Sequence, residues 1–233
     1  LLASSVYLST VGTKAETDLL QQYIPIAEMR SLTLPDGTKV QLNSKSTLLY
    51  PHEFTGDSRS VFLLGEANFK VKPDKKRPFI VKSNDLQITA LGTEFNVSAY
   101  PESQEIATTL ISGSIRVAYN NLTTSVILHP NEQFAYNRNN KKYDLSNPDM
   151  DDVTAWQRGE LVLQKMTLTD IINVLERKYP YAFVYSIKNL KNDRFSFRFK
   201  DNAPLEEVME IIVNVVGQMD YRIVEDKCYL TRI

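Results

Sequence analysis

Between Val61 and Val97, apolar side chains recur at every second position. They are Ala67, Phe69 and Val71, then Phe79 and Val81, then Leu86, Ile88 and Ala90, then Phe95 and Val97. A period of two sets one row of side chains on one face of a strand, whereas a helix needs 3.6. Asn68, Lys70, Lys82, Gln87 and Asn96 fall on the opposite, polar face. A sheet with one buried face is what this stretch demands. Two glycines interrupt it, in Leu64-Gly65-Glu66 and Leu91-Gly92-Thr93. Glycine in a strand pattern marks a bulge or a close backbone approach.

The same pattern reaches outward in both directions. Pro35-Asp36-Gly37-Thr38 lies between two alternating runs, and proline followed by Asp-Gly makes a hairpin turn. Pro51, Gly56, Gly113, Asn120-Asn121 and Pro130-Asn131 punctuate further short runs as far as Tyr136. About a dozen strands, with turn signals every 8–12 residues, predict an all-β sandwich, barrel or short solenoid over residues 24–150. Residues 1–23 read as a membrane-proximal linker. The first ten, LLASSVYLST, carry no charge and are too few to span a bilayer. They suit the outer end of a removed transmembrane helix or signal peptide, or a frayed end.

Residues 137–152 are polar and mark a domain boundary. Trp156, the only tryptophan, follows, and is expected to pack the joint between two units. Beyond it, the apolar stripe Leu168, Ile171, Ile172 and Leu175 returns as Leu205, Val208, Met209 and Ile212 at a constant offset of 37. Val215 extends the second stripe. Thr167 and Asp170 suit a helix start, and Pro204 and Gly217 bracket the second helix. Residues 151–233 therefore read as two β-α-β units with helices on one face of a small sheet. The fold class expected is mainly β plus α+β.

Composition narrows function. Across 233 residues the net charge is −1, so no nucleic-acid partner is suggested. One cysteine, Cys228, excludes an internal disulfide, and only two histidines leave little for a metal site. No metal and no cofactor is expected.

Several phrases carry a resemblance. They are LTLPDGTKVQLN at 32–43, YP at 50–51, VFLLGEANFKV at 61–71, PFIV at 78–81, LGTEFNV at 91–97 and LISGSIRV at 110–117. Together with the duplicated tail after Trp156 they resemble the FecR family of anti-sigma regulators, of the Bacteroidetes type. The tail is similar to the short N-terminal domain of secretins and TonB-dependent transporters. Two positions depart from the family pattern. Ala27-Glu28-Met29 stands where a glycine is common, and so does Phe195-Ser196-Phe197. The resemblance implies the periplasmic part of a single-pass inner-membrane protein with its anchor N-terminal to this chain. It implies two partners: the signalling domain of a TonB-dependent transporter, and an extracytoplasmic-function sigma factor held by a cytoplasmic segment.

Enzymatic turnover is not expected. The resemblance does imply one chemical candidate, self-cleavage between Gly92 and Thr93, in which the threonine hydroxyl attacks the preceding carbonyl. The alternative is a glycine bulge before an ordinary strand residue. Candidate partner contacts are Trp156, Arg194 and Arg198, with Arg194–Phe199 or 228–233 as edge strands open to addition. Glu66 and Glu94 read as polar-face residues in preference to a glycosidase pair. The alternative function is a carbohydrate-binding β-sandwich using Tyr7, Tyr23, Tyr50, Tyr119, Tyr136 or Tyr143. A third is an envelope assembly piece.

Overall fold

The computed structural model describes residues 18–186, 193–200 and 203–232. The first unit runs β1 (Leu19–Tyr23), β2 (Arg30–Thr33), β3 (Lys39–Leu42), β4 (Thr47–Pro51), β5 (Arg59–Lys70), β6 (Phe79–Lys82) and β7 (Gln87–Ala90). It continues through β8 (Glu94–Ala99), β9 (Glu105–Ser112), β10 (Ile115–Tyr119), β11 (Thr124–Leu128), β12 (Gln133–Asn137) and β13 (Tyr143–Ser146). β5 belongs to two sheets. Its first half pairs with β4 and, in parallel, with β6; its second half pairs with β3 and β8. One sheet therefore runs β1-β4-β5-β6-β7-β10-β11 and the other β2-β3-β5-β8-β9-β12-β13.

Gly65 makes the switch. Its φ of +103° is open to glycine at no steric cost. A Cβ there would stand 2.4 Å from Ser46 Oγ. That hydroxyl donates to the Glu66 carbonyl and accepts from its amide, at 3.1 and 2.8 Å, replacing ladder bonds lost at the bend. Between the sheets the alternate apolar residues of 67–97 are all at most 4% exposed. Phe69 lies between Phe79 and Phe95, with ring centroids 5.9 and 5.4 Å away. Each such side chain contributes about 1.5–3 kcal/mol of apolar burial.

The Pro-Asp-Gly turn has a second job. Asp36 accepts from the amide and hydroxyl of Thr38 and from Arg59 Nη1, the last at 2.6 Å. Arg59 is 1% exposed, donates also to the carbonyls of Lys72 and Arg77, and lies over the Phe79 ring. A buried guanidinium is tolerated only when paired in this way.

Three expectations are corrected. Residues 19–23, read as linker, form β1 and pair with β4. As an edge strand, β1 buries no side chain fully, so its apolar signal is weak. Likewise β13 and the short helix α1 (Met150–Thr154) occupy the polar stretch 137–152. Asn137 holds the turn before β13 by accepting from the amides of Asn139 and Asn140. The tail does not place its helices on a single sheet. Strands β14 (Leu161–Thr167) and β16 (Arg194–Phe199) precede helices α2 (Leu168–Lys178) and α3 (Leu205–Val216), and they pair with each other. Strands β15 (Ala182–Val184), β17 (Met219–Val224) and β18 (Lys227–Arg232) form a second sheet with β18 in the middle. Strand periodicity names the buried face, not the partner.

The duplicated stripes themselves pack as read. Leu168, Ile171, Ile172 and Leu175 meet Leu205, Val208, Met209 and Ile212 in one core with Cys228. Thr167 Oγ1 accepts from the Asp170 amide and donates to its carboxylate, which fixes the start of α2. Val215 departs from its stripe and is 59% exposed.

Candidate functional site

The polar face of β5 and β8 does not face open water. Asn68 and Asn96 are cross-strand partners and both are buried. After α1 a single 3-10 turn, Ala155–Arg158, brings Trp156 onto this face. The Trp156 indole N–H donates to Asn96 Oδ1 at 3.3 Å. The amide groups of Asn96 and Asn43 donate in turn to the two oxygens of Glu66, at 2.9 and 2.8 Å. Burial holds the Glu66 carboxyl above the usual range; the two amides and the Arg177 charge pull it back. Glu66 thus lies on the polar face of β5, as read, but under the joint and not in open water.

Arg177, near the end of α2, makes the second contact between the units. It is 7% exposed, and its guanidinium lies 3.8 Å above the Tyr100 ring. Its Nη1 donates to Glu102 Oε1 at 2.6 Å. Its carbonyl accepts from the Ala27 amide at 3.0 Å. Ala27 has φ +60°, the region glycine favours, at the position where the resemblance expected glycine. The Tyr100 hydroxyl donates to the Ser44 carbonyl, and burial, then the Glu66 charge, raise its pKa. Trp156, Asn96, Glu66, Tyr100, Arg177 and Glu102 thus form one polar and aromatic joint between the units.

The other sequence candidates fall elsewhere. Arg198 pairs with Asp151, Asp152 and Glu160, and Arg158 joins Asp151 and Glu160 from the other side. This network ties β16 to α1 and so holds the turn that carries Trp156. Arg194, at the far end of β16, donates to the Lys165 carbonyl where β14 bulges. Its charge also acts on Glu105. Trp156 and Arg198 are linked through α1; Arg194 bonds to none of the joint residues and acts across the units only through its charge.

Gly92 has φ +154°, and a Cβ there would lie 2.9 Å from Pro73 Cα. Thr93 is 6% exposed, and its hydroxyl makes no hydrogen bond among the described residues. Gly113 packs on it so closely that a Cβ would stand 2.6 Å from Thr93 Cγ2. Glu66 and Glu94 sit opposite Ser98 and Lys70 in the ladder, four positions apart. That is about 13 Å of strand, wider than a glycosidase pair. Tyr119 and Tyr136 are buried, Tyr143 stacks on Phe134, and Tyr23 is half exposed with no ring contact among the described residues. Tyr7 lies outside the described residues. Among the described residues, no group of three His, Cys, Asp or Glu is placed to hold a metal ion, and no helix is long and apolar enough to cross a membrane.

Residues 24–116 match the family model described as FecR protein, and residues 160–230 match the one described as FecR, C-terminal. Two crystal structures of a candidate anti-sigma factor from Parabacteroides distasonis, at 1.65 and 2.50 Å, superpose on this chain with TM-scores of 0.85 and 0.86. Each is 34% identical and covers 92% of this chain and 99% of its own. The chain belongs to the FecR family of anti-sigma regulators. No curated protein matches it. In this FecR-family chain the joint residues most removed from sequence reasoning are Arg177 and Tyr100. Arg177 reads as an ordinary basic residue in a last helical turn, and only tertiary packing makes it buried. Trp156 was the one signal that pointed to the joint.

Proposed function

We propose that this chain is the periplasmic relay of an inner-membrane anti-sigma factor. It receives a signal from the signalling domain of a substrate-loaded TonB-dependent transporter and controls an extracytoplasmic-function sigma factor through a cytoplasmic segment. Family membership supports the anti-sigma role. The observation that carries the relay is the joint: a duplicated α/β unit docked on a β-sandwich through a few polar groups around Arg177. The second side of β16 is the docking edge proposed for the transporter, since β16 pairs only with β14 among the described residues. Strand 227–232 is internal to its sheet, which removes the other edge expected from sequence. Titration of the purified chain with the periplasmic signalling domain of a TonB-dependent transporter from the same organism tests the reading. A saturable complex is expected. Absence of a complex with every such domain the organism encodes rejects it, and saturable glycan-array binding would favour the carbohydrate alternative.

One observation favours a second activity, self-cleavage at Gly92–Thr93. The Thr93 hydroxyl is buried without a hydrogen-bond partner among the described residues, beside a glycine in a conformation side chains avoid. Its Oγ would attack the Gly92 carbonyl carbon, the C–N bond would break with the proton passing to the new amine, and water would hydrolyse the ester. Intact-mass measurement should show two fragments summing to the chain plus one water. A single full-length species, unchanged in Thr93→Ala, rejects this.

A further inference from the structure

The far end of the first sheet holds a groove that neither the joint nor β16 uses. β7, β10 and β11 turn their outer faces to form it, with a volume of about 490 Å³. Leu91, Leu122 and Ile127 line it and are about half exposed. Thr89 and Ser125 add hydroxyls. Arg116 stands on the central strand, opposite Thr89 on one side and Ile127 on the other. Its side chain is in no hydrogen bond or ion pair among the described residues, and no acidic residue lines the groove. An exposed guanidinium set among apolar side chains fits a carboxylate carried on an otherwise apolar ligand.

The neighbouring strand says what form that ligand takes. β11 ends the sheet, pairing only with β10 among the described residues. Its five residues, Thr124 to Leu128, include no charge, proline or glycine, and the register to β10 has no bulge. Natural edge strands are ordinarily protected by one of those devices. The β2 edge carries Arg30 and the β13 edge Asp144; β1 (LLQQY) lacks such devices too, but none of its residues lines the groove. β11 is left open beside a groove that is apolar and positive.

We infer that β11 and the Arg116 groove receive an extended segment of another protein. The segment adds as a strand along β11. An acidic side chain opposite Ile127 reaches across to Arg116, and apolar residues two positions to either side of it, on the same face, extend over Ile127 and Leu122. An added strand lies about 4.8 Å beyond β11, so two strand spacings of about 10 Å separate it from β10. An arginine and a glutamate side chain together bridge that span, with the arginine stem packed over Ile127. This site is distinct from the β16 edge proposed for the transporter.

The test is an NMR titration of the isotope-labelled chain with the acetylated, amidated peptide Val-Thr-Glu-Thr-Val, whose valines share the glutamate's face. Saturable shifts are expected within residues 114–128 and at 87–91. Lysine in place of the peptide's glutamate, or Arg116→Glu in the chain, should weaken binding about fivefold or more. Arg116→Glu should in turn bind the lysine peptide more tightly than the glutamate peptide. Shifts spread equally over β1, β2 and β13, indifference to the charge swap, or no saturable shift at all would overturn the inference. So would a chain dimer that Ile127→Lys dissociates, because the edge would then belong to a second copy.

Discussion

Replacing Arg177 with methionine isolates the joint's charge from its packing. Methionine keeps an apolar stem of similar length, so the contact with Tyr100 is not emptied. What is lost is the guanidinium 3.8 Å above the ring and its 2.6 Å bond to Glu102. A desolvated cation–π contact is worth about 2 kcal/mol. Glu102 is 37% exposed and regains water when freed, so its share is held to about 0.2–1 kcal/mol. The joint should therefore weaken by about 2–3 kcal/mol, which is about 30- to 150-fold in its opening equilibrium. The Ala27 amide reports this directly, because its partner is the Arg177 carbonyl across the joint. Hydrogen exchange at Ala27 should accelerate by that factor, while amides in the middle of β5 keep wild-type rates. Tyr100→Leu should produce an overlapping loss, and the double variant should fall short of the sum by about 1 kcal/mol or more. Ala27 exchange within about threefold of wild type in Arg177→Met would refute the assignment of this contact as what holds the units together.

Gly65→Ala should be among the most damaging single changes in the β-unit, since its Cβ would meet Ser46 Oγ at 2.4 Å and Cα at 2.7 Å; soluble yield and urea midpoint should both drop, and a near-wild-type midpoint would contradict the sheet switch. Asp36→Ala strands the buried Arg59 and should cost about 3–5 kcal/mol. For a chain of this size that is roughly 6–20 °C in melting temperature, and a fall of under about 3 °C would count against it. The folded state binds the Glu66 proton more tightly than the unfolded chain does, so stability from this group is complete below its ordinary value of 4.5 and is lost as pH rises through the folded value. Urea unfolding from pH 4.5 upward should show a negative slope that Glu66→Gln flattens by one proton, and equal slopes would refute it. Burial pushes the Cys228 thiol up to about 11, so iodoacetamide should alkylate the native chain far more slowly than the unfolded one; equal rates would contradict its burial.

The β core was legible because its signal is local. Phe69, Val81, Ile88 and Phe95 alternate with polar residues, and burial of one face follows from that alone. The duplicated stripe of the tail was legible for the same reason, at helical spacing. What alternation cannot supply is the fate of the other face. Asn68 and Asn96 read as members of a polar face, yet both are buried, and Trp156 of the second unit bonds to Asn96. β1 and β13 were missed because edge strands bury too little to impose a pattern. Arg59 and Arg177 were missed because a buried arginine carries no local mark, being defined by partners at distant positions such as Asp36 and Glu102.

The composition of the joint bears on how a relay would work. An interface meant only to fix two units would bury apolar side chains, since replacing buried ion pairs by well-packed apolar groups is often stabilising. Here the contacts are an indole N–H, two amides, a carboxyl held above its usual range, and one arginine across a tyrosine ring. Such contacts are directional, and they fail together once geometry shifts by an ångström or two. They also cost little to separate if water or a partner's polar groups replace them. The Arg198 network reaches this joint from β16 through α1, so a strand added at β16 would act on the segment that positions Trp156. On the proposed reading, a ligand at that edge needs a differential affinity of only a few kcal/mol to redistribute docked and open states. Arg198→Gln should accordingly loosen Trp156, seen as greater acrylamide quenching of its fluorescence, without lowering the unfolding midpoint of the β-unit. Quenching that stays at the wild-type level would disconnect β16 from the joint and leave the relay without a route.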